Sequence, residues 1–299
     1  MTFWERRPLR RNGLGILLVL ALWIPLGSLL EGAGADIGLA ARWQKMLWYL
    51  LLLLVIVLAT RLYDRRPLAW AGIAPHRWMG RELLQGTALG LGMTAVVWLP
   101  FVLGGGTEAG MPGSDFLRQT LYLVASAAGE ELLFRGYLFQ RMVEIAGPLA
   151  GTLLLSALFA FAHLANPEMT TLSGVNIFLG GIFFSLCYLR TGSLWLPFAV
   201  HFVWNFTLAK ILGLVVSGQS FGGSLLATPD TLPMWLGGGG FGPEGGIIAT
   251  AALMAGTIAL LTIRQITYSP YVYAERFWGA REVEESGSRG VWKSRSRGV

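Results

Sequence analysis

Two carboxylates and a guanidinium lie close together in an otherwise apolar stretch of the chain. The stretch ASAAGEELLFRGYLF, residues 125–139, contains Glu130, Glu131 and Arg135. On a helix, residues four apart share a face, and a Glu that precedes its cation is in the favourable order. The spacing therefore predicts an ion pair between Glu131 and Arg135. Glu130 points to another face and has no predicted partner on its own helix.

Two later apolar stretches carry pairs of residues with the same spacing. ALFAFAHLANP places Phe159 and His163 four residues apart, and FAVHFVWNF does the same for His201 and Asn205. Ionisable side chains inside membrane helices are costly and usually face a polar interior. At a rise of about 1.5 Å per residue, His163 and His201 lie at depths in the membrane that are compatible with one site that also includes Glu130.

These groups support three kinds of chemistry. Glu130 can act as a general base on water with the help of His163, and His201 and Asn205 can then donate hydrogen bonds to an oxyanion. Alternatively, Glu130, His163 and His201 can bind zinc and leave an open position for water. The same groups can also relay protons or coordinate a transported ion.

The chain lacks the residues that several other classes of protease and hydrolase require. The chain contains no H-E-x-x-H zincin motif and no G-x-S-x-G nucleophile elbow. Its aspartates, Asp36, Asp64, Asp115 and Asp230, all fall in predicted loops or at the edges of apolar runs. An intramembrane aspartyl dyad therefore cannot be built.

The composition around these motifs predicts an all-α membrane protein. Of the 299 residues, 54% are hydrophobic and 13% are charged, whereas soluble domains carry about 25% charged residues. A membrane-spanning helix needs about 20 mostly apolar residues. Eight such runs are present, at 13–30, 46–63, 83–104, 116–145, 148–165, 172–189, 194–216 and 245–265. We therefore expect a polytopic transmembrane helix bundle with about eight spans.

Two of these runs have special features. The run 116–145 is too long for one straight perpendicular span, so it must tilt, bend or protrude. The run 83–104 contains GTALGLGMT, and such closely spaced small residues predict tight contacts with another helix.

The basic residues predict the orientation, because short loops rich in Lys and Arg stay in the cytoplasm. With the N-terminus inside, all of the 23 Lys and Arg except four fall on the inner side, the exceptions being Arg42, Lys45, Arg118 and Lys210. Both termini are therefore predicted to be cytoplasmic. The net charge of +6 follows from this rule, so we expect membrane lipids as partners and no nucleic acid.

Four regions are predicted along the chain. Residues 1–114 hold the first three spans, and 115–215 hold all the motifs. Residues 216–268 comprise a Gly-rich outer segment and the last span; such a segment predicts a mobile loop or a flexible cover over a site. The charged residues 269–299 predict a disordered cytoplasmic tail.

The motifs Glu130-Glu131-x-x-x-Arg135, Phe159-x-x-x-His163 and His201-x-x-x-Asn205, in this order, resemble those of the CPBP family of intramembrane proteases. That family is also called the CAAX amino-terminal protease or Abi family and includes Rce1. The resemblance covers roughly residues 115–215. It implies an eight-helix endopeptidase whose conical cavity opens toward the cytosol.

The resemblance also implies a role for each matching residue. Glu130 and His163 would activate water, and His201 and Asn205 would stabilise the oxyanion. The supporting residues would be Glu131, Arg135 and Phe159. The family is commonly named a metalloprotease, so zinc held by Glu130, His163 and His201 is an alternative to a metal-free glutamate mechanism.

Family members act on different substrates. Eukaryotic members cleave the last three residues from prenylated CAAX proteins, and others are associated with bacteriocin maturation or immunity. For this chain we expect a peptide or lipidated protein as substrate, cleaved near the cytoplasmic face of the bacterial plasma membrane. An ion- or proton-coupled transporter and a scaffold without chemistry are the alternatives from other classes.

Overall fold

The computed structural model describes residues 7–36, 41–263, 283–286 and 291–294. Its α-helices are α1 Arg7–Asp36, α2 Ala41–Leu58, α3 Met79–Gly105, α4 Phe116–Glu131, α5 Leu138–Ala162, α6 Thr171–Thr191, α7 Trp195–Phe206, α8 Met234–Gly237 and α9 Ile247–Thr262. Two small antiparallel ribbons pair β1 Glu108–Ala109 with β2 Leu226–Ala227, and β3 Val283–Ser286 with β4 Val291–Ser294.

The predicted all-α membrane bundle is confirmed. Segments long and apolar enough to cross a membrane are Arg10–Gly34, Trp43–Tyr63, Met79–Gly105, Phe116–Ala162 and Thr171–Thr191, and α9 is a shorter apolar helix. Each of the eight predicted apolar runs corresponds to a helix or to one half of a bent helix. The predicted tail lies outside the described residues except for β3 and β4.

The helical stretch that begins with the predicted run 116–145 is irregular at two points. A π-helical turn, Leu132–Tyr137, joins α4 to α5, and Gly147 then interrupts α5 with a φ of 84°. Only glycine adopts this φ readily, and the following Pro148 has no N–H to continue the helix. After this bend Gly151 packs back against Val143. The bend thus separates the fourth span from the fifth.

Close contact between α3 and α7 confirms the prediction made from the small residues of GTALGLGMT. A Cβ atom added to Gly86 would lie 2.6 Å from Cβ of Ala199, and one added to Gly90 would lie 3.0 Å from Cγ1 of Val203. Helices can approach this closely only where one side chain is missing. This contact fixes the position of α7, which carries His201 and Asn205.

One end of the bundle, which we call the basic end, contains the start of α1, the end of α2, the start of α3 and the α6–α7 junction. Buried Arg141 forms an ion pair with buried Asp64. Tyr63 donates a hydrogen bond to the carbonyl oxygen of Arg11 at 3.1 Å. Ser193 donates to buried Glu82. These long-range contacts hold the helix ends together.

The opposite end, which we call the loop end, contains the end of α1, the start of α2, the end of α5 and the Gly-rich segment 212–246. Lys45 pairs with Glu31 across the α1–α2 turn at 3.4 Å. Fully buried Lys210 donates to Gln119 at 2.7 Å and to the carbonyl oxygen of Gly222 at 2.9 Å. The Gly-rich segment is therefore folded against the helices, with β2, α8 and two short 3₁₀ turns of its own.

Candidate active site

The four predicted catalytic residues, Glu130, His163, His201 and Asn205, line one cavity of about 590 Å³. They come from α4, from the turn after α5, and from α7. Their side chains therefore meet although the chain separates them widely.

Glu131 connects two elements of the site. Its Oε1 atom accepts a hydrogen bond from Nη1 of Arg135 at 3.0 Å, which confirms the predicted ion pair. The same oxygen lies 2.8 Å from Nδ1 of His201. Arg135 also donates to the carbonyl oxygen of Gly181 on α6 at 3.3 Å. Because Glu131 and Arg135 are 0% and 1% exposed, this cluster links α4, α6 and α7 away from solvent.

The orientation of the His201 ring follows from these contacts. The ion-paired carboxylate of Glu131 can only accept, so Nδ1 of His201 carries the hydrogen. The other ring nitrogen, Nε2, faces Glu130, at 3.8 Å from its Oε2 atom. Phe184 stacks on the imidazole with the ring centroids 4.7 Å apart. The ring is thus held with Nε2 directed toward the cavity.

Glu130 is also held in place, and the prediction that it has no partner on its own helix is wrong. Ser126, one turn earlier, donates to Oε1 of Glu130 at 2.8 Å. The hydroxyl of Tyr49 on α2 is hydrogen bonded to the same carboxylate. Gly129 permits this approach, because a Cβ atom there would lie 2.1 Å from Cδ1 of Tyr49. The Glu130 side chain nevertheless keeps 19% of its surface exposed.

His163 lies in the turn that follows α5 rather than inside the helix. Its Nδ1 atom is 2.7 Å from the carbonyl oxygen of Phe159, so Nδ1 donates and Nε2 remains as an acceptor. Phe159 lies between the two imidazoles, with its centroid 4.6 Å from His163 and 6.4 Å from His201. The guanidinium of Arg135 stacks on the Phe159 ring at 4.5 Å. Phe159 therefore sets the spacing of the two histidines.

The predicted zinc ligands are Glu130, His163 and His201. Among the described residues, no group of three His, Cys, Asp or Glu side chains is placed to hold a metal ion. The Nδ1 atoms of His163 and His201 both lie against oxygen acceptors, which leaves Nε2 as the remaining ring nitrogen of each, and histidines commonly bind zinc through one ring nitrogen while the other donates to such an acceptor. Zinc held by Glu130, His163 and His201 therefore stays a prediction, which chelation tests.

Sequence reasoning missed several polar residues that line the cavity, among them Tyr49, Asn176 and Glu244. Glu244 accepts hydrogen bonds from Ser217 N at 2.6 Å and from Trp204 Nε1 at 3.0 Å. Asn176 donates to the carbonyl oxygen of Glu244 at 2.9 Å. Asn176 could have been found as an amide in an apolar run, but Glu244 carries no local signal because it lies in a long loop.

The cavity lies toward the loop end of the bundle. Its lining includes Lys45 at the start of α2, Asn166 just beyond α5, and Ser217 in the Gly-rich segment. The start of α1 lies at the other end. The two predictions of a cytoplasmic N-terminus and of a cavity open to the cytosol are therefore incompatible in this fold.

Comparisons with known proteins agree with the motifs. The family model described as Type II CAAX prenyl endopeptidase Rce1-like matches residues 112–207, which confirms the resemblance for that segment. Over 114 residues the chain is 31% identical to YyaK of Bacillus subtilis (strain 168), an alignment that covers 36% of this chain and 38% of YyaK. The chain thus spans well under half the length of that relative. No solved structure matches the chain.

Proposed function

We propose that this protein is an intramembrane endopeptidase that hydrolyses a peptide bond with water activated by Glu130 and His163. The observation that carries the proposal is the meeting of all three motifs in one cavity. The Rce1-like match over residues 112–207 supports the same reaction class. In this proposal the protein is a multi-pass component of a bacterial plasma membrane, and its substrate is a peptide or a lipidated protein.

The first step is the attack of water on the scissile carbonyl carbon. Glu130 takes one proton from the water while the new C–O bond forms. Nε2 of His163 carries no hydrogen when Nδ1 donates to Phe159, so it can accept the second hydrogen of the water and orient it. The hydroxyls of Ser126 and Tyr49 keep the Glu130 carboxylate in place during this step.

The negative charge that develops on the carbonyl oxygen is stabilised from α7. Asn205 donates from its amide group, and His201 donates from Nε2 when its ring carries both protons. Glu131 fixes the other nitrogen of His201 at 2.8 Å. When the C–N bond breaks, the protonated Glu130 returns its proton to the leaving amine.

Purified protein in proteoliposomes provides the test. Quenched fluorescent peptides, with and without an attached lipid, should be cleaved by the wild-type protein, and mass spectrometry should locate the new termini. His163→Ala should lose cleavage while its thermal unfolding in detergent stays close to that of the wild type. If no peptide is cleaved but a proton or ion flux depends on His201, the transporter alternative is favoured instead.

Metal analysis of the same preparation decides between the two hydrolytic mechanisms. The glutamate mechanism predicts no stoichiometric zinc and cleavage that survives chelation. Loss of cleavage on chelation, with rescue by zinc, would instead favour the mechanism in which Glu130, His163 and His201 bind the metal.

A further inference from the structure

The two ends of the bundle differ sharply in positive charge. At the basic end, the α2–α3 connection carries Arg61, Arg65, Arg66 and Arg77, and the first turn of α3 adds Arg81. Among the residues that the structure describes, the basic ones at the loop end are Lys45, Arg118 and Lys210, together with Arg42 in the first turn of α2. Lys210 is fully buried among oxygen acceptors, so it adds little to the surface charge. Arg135, counted on the inner side from sequence, lies at mid-bundle, and the difference between the ends does not depend on it.

Positive charge in short loops marks the cytoplasmic side of a membrane protein. By this rule the basic end faces the cytoplasm and the loop end faces away from it. The connections at the basic end are short, as the rule requires: α2 and α3 are joined by residues 59–78, and α6 and α7 by residues 192–194.

The cavity has its polar rim at the loop end. Asn166 donates to the carbonyl oxygen of Ser217 at 3.0 Å, and both residues line the cavity. Gln219 in the same segment is exposed and also lines it. The rim is therefore built from the turn after α5 and from the Gly-rich segment.

Buried side chains close the cavity on the other side. Beyond Glu130 the chain continues through Glu131 and Arg135, which are ion paired and almost fully buried. Two residues after Arg135, Tyr137 is fully buried and donates to Asp64 of the basic end at 2.9 Å. A peptide that approached Glu130 from the basic end would have to break both clusters.

From these observations we infer that the cavity opens toward the side of the membrane away from the cytoplasm and receives peptide segments from that side. The walls carry the aromatic rings of Trp48, Tyr122, Phe134 and Trp204, which suit extended segments with apolar side chains. Exported peptides and the outer ends of membrane-spanning segments fit this description. The substrate part of this inference rests on the proposed peptidase function, whereas the orientation does not.

Cysteine accessibility tests the orientation without any assay of activity. The sole cysteine of the chain, Cys187, is 0% exposed, so the unmodified protein serves as an unlabelled control. Gln219→Cys and Ala165→Cys place a thiol at exposed positions of the loop end. Gly80→Cys places one at the basic end, where an added Cβ meets nothing within 4 Å. Each variant is treated with a membrane-impermeant maleimide in intact cells and again after permeabilisation.

The inference predicts labelling of Gln219→Cys and Ala165→Cys in intact cells and of Gly80→Cys only after permeabilisation. The reverse pattern, or labelling of all three in intact cells, would overturn it. In proteoliposomes, a bulky maleimide on Ala165→Cys should reduce peptide cleavage at least tenfold, while the same label on Gly80→Cys should leave it unchanged. A wild-type protein that cleaves no peptide would refute the peptidase function and leave the labelling result intact.

Discussion

Nδ1 of His201 lies 2.8 Å from Oε1 of Glu131, although the two residues are 70 positions apart in the chain. The same carboxylate oxygen binds Arg135 at 3.0 Å. Glu131 therefore does more than neutralise an arginine inside the bundle. It also sets which nitrogen of His201 faces Glu130, so the second glutamate of the pair positions the residue that would hold the oxyanion.

Glu131→Gln should therefore lower both stability and activity. Removing one partner of a buried ion pair typically costs about 3 to 5 kcal/mol, and the variant should unfold at a lower temperature in detergent. The double variant Glu131→Gln/Arg135→Met removes both charges and should recover much of the stability without recovering cleavage. If the double variant cleaved at the wild-type rate, Glu131 would have no positioning role.

Tyr49→Phe should reduce the turnover number with little change in KM. The substitution removes only the hydroxyl that is hydrogen bonded to Glu130. One such bond contributes about 0.5 to 1.5 kcal/mol, which corresponds to a loss of roughly two- to tenfold in rate. Tyr63→Phe, which removes a hydroxyl at the basic end, is the matched control. Equal kinetics for the two variants would argue against a role for Tyr49 in the site.

Asp64→Ala should destabilise the fold without changing the chemistry. It leaves the fully buried Arg141 with only the more distant carboxylate of Glu144, at 3.8 Å, and breaking a buried ion pair costs up to about 3 to 5 kcal/mol. Thermal unfolding measures the loss, and cleavage per folded molecule should stay near the wild-type value. A selective loss of turnover in well-folded protein would contradict the separation of the basic end from the site.

Glu244→Gln should loosen the Gly-rich segment over the cavity. The carboxylate accepts from Ser217 N and Oγ at 2.6 and 2.7 Å and from Trp204 Nε1 at 3.0 Å. Charge-assisted bonds of this kind are stronger than those of a neutral amide. Faster limited proteolysis and faster amide hydrogen exchange within 212–246 are the expected results. Unchanged exchange there would show that other contacts hold the segment.

The sequence predicted the parts of the structure that depend on local patterns. The apolar runs predicted the membrane spans, and the four-residue spacing predicted the ion pair between Glu131 and Arg135. The spacing also selected Glu130, His163, His201 and Asn205, which meet in one cavity. The wrong prediction that Glu130 has no partner on its own helix also concerns a local contact, because Ser126 lies one turn earlier on the same face of α4.

Contacts between distant segments could not be predicted from sequence. Tyr49 reaches Glu130 only because α2 packs against Gly129, and no periodicity indicates which helices are neighbours. The Gly-rich segment was predicted as a mobile loop or cover. Lys210 connects it to α4, because its ammonium group donates to both Gln119 and the carbonyl oxygen of Gly222, and Glu244 connects it to Trp204 of α7. The end at which the cavity lies likewise follows from helix packing and not from any single motif.

The most direct measurement of the central claim is the cleavage rate of Glu130→Gln beside that of Glu108→Gln, with both proteins reconstituted at equal amounts. Glu108 is an exposed carboxylate in β1, so the control makes the same chemical change away from the cavity. Because Glu130 is not the partner of Arg135, both variants should unfold near the wild-type temperature. The account predicts that Glu130→Gln loses at least about a hundredfold in rate while Glu108→Gln keeps the wild-type rate. Wild-type cleavage by Glu130→Gln would contradict it.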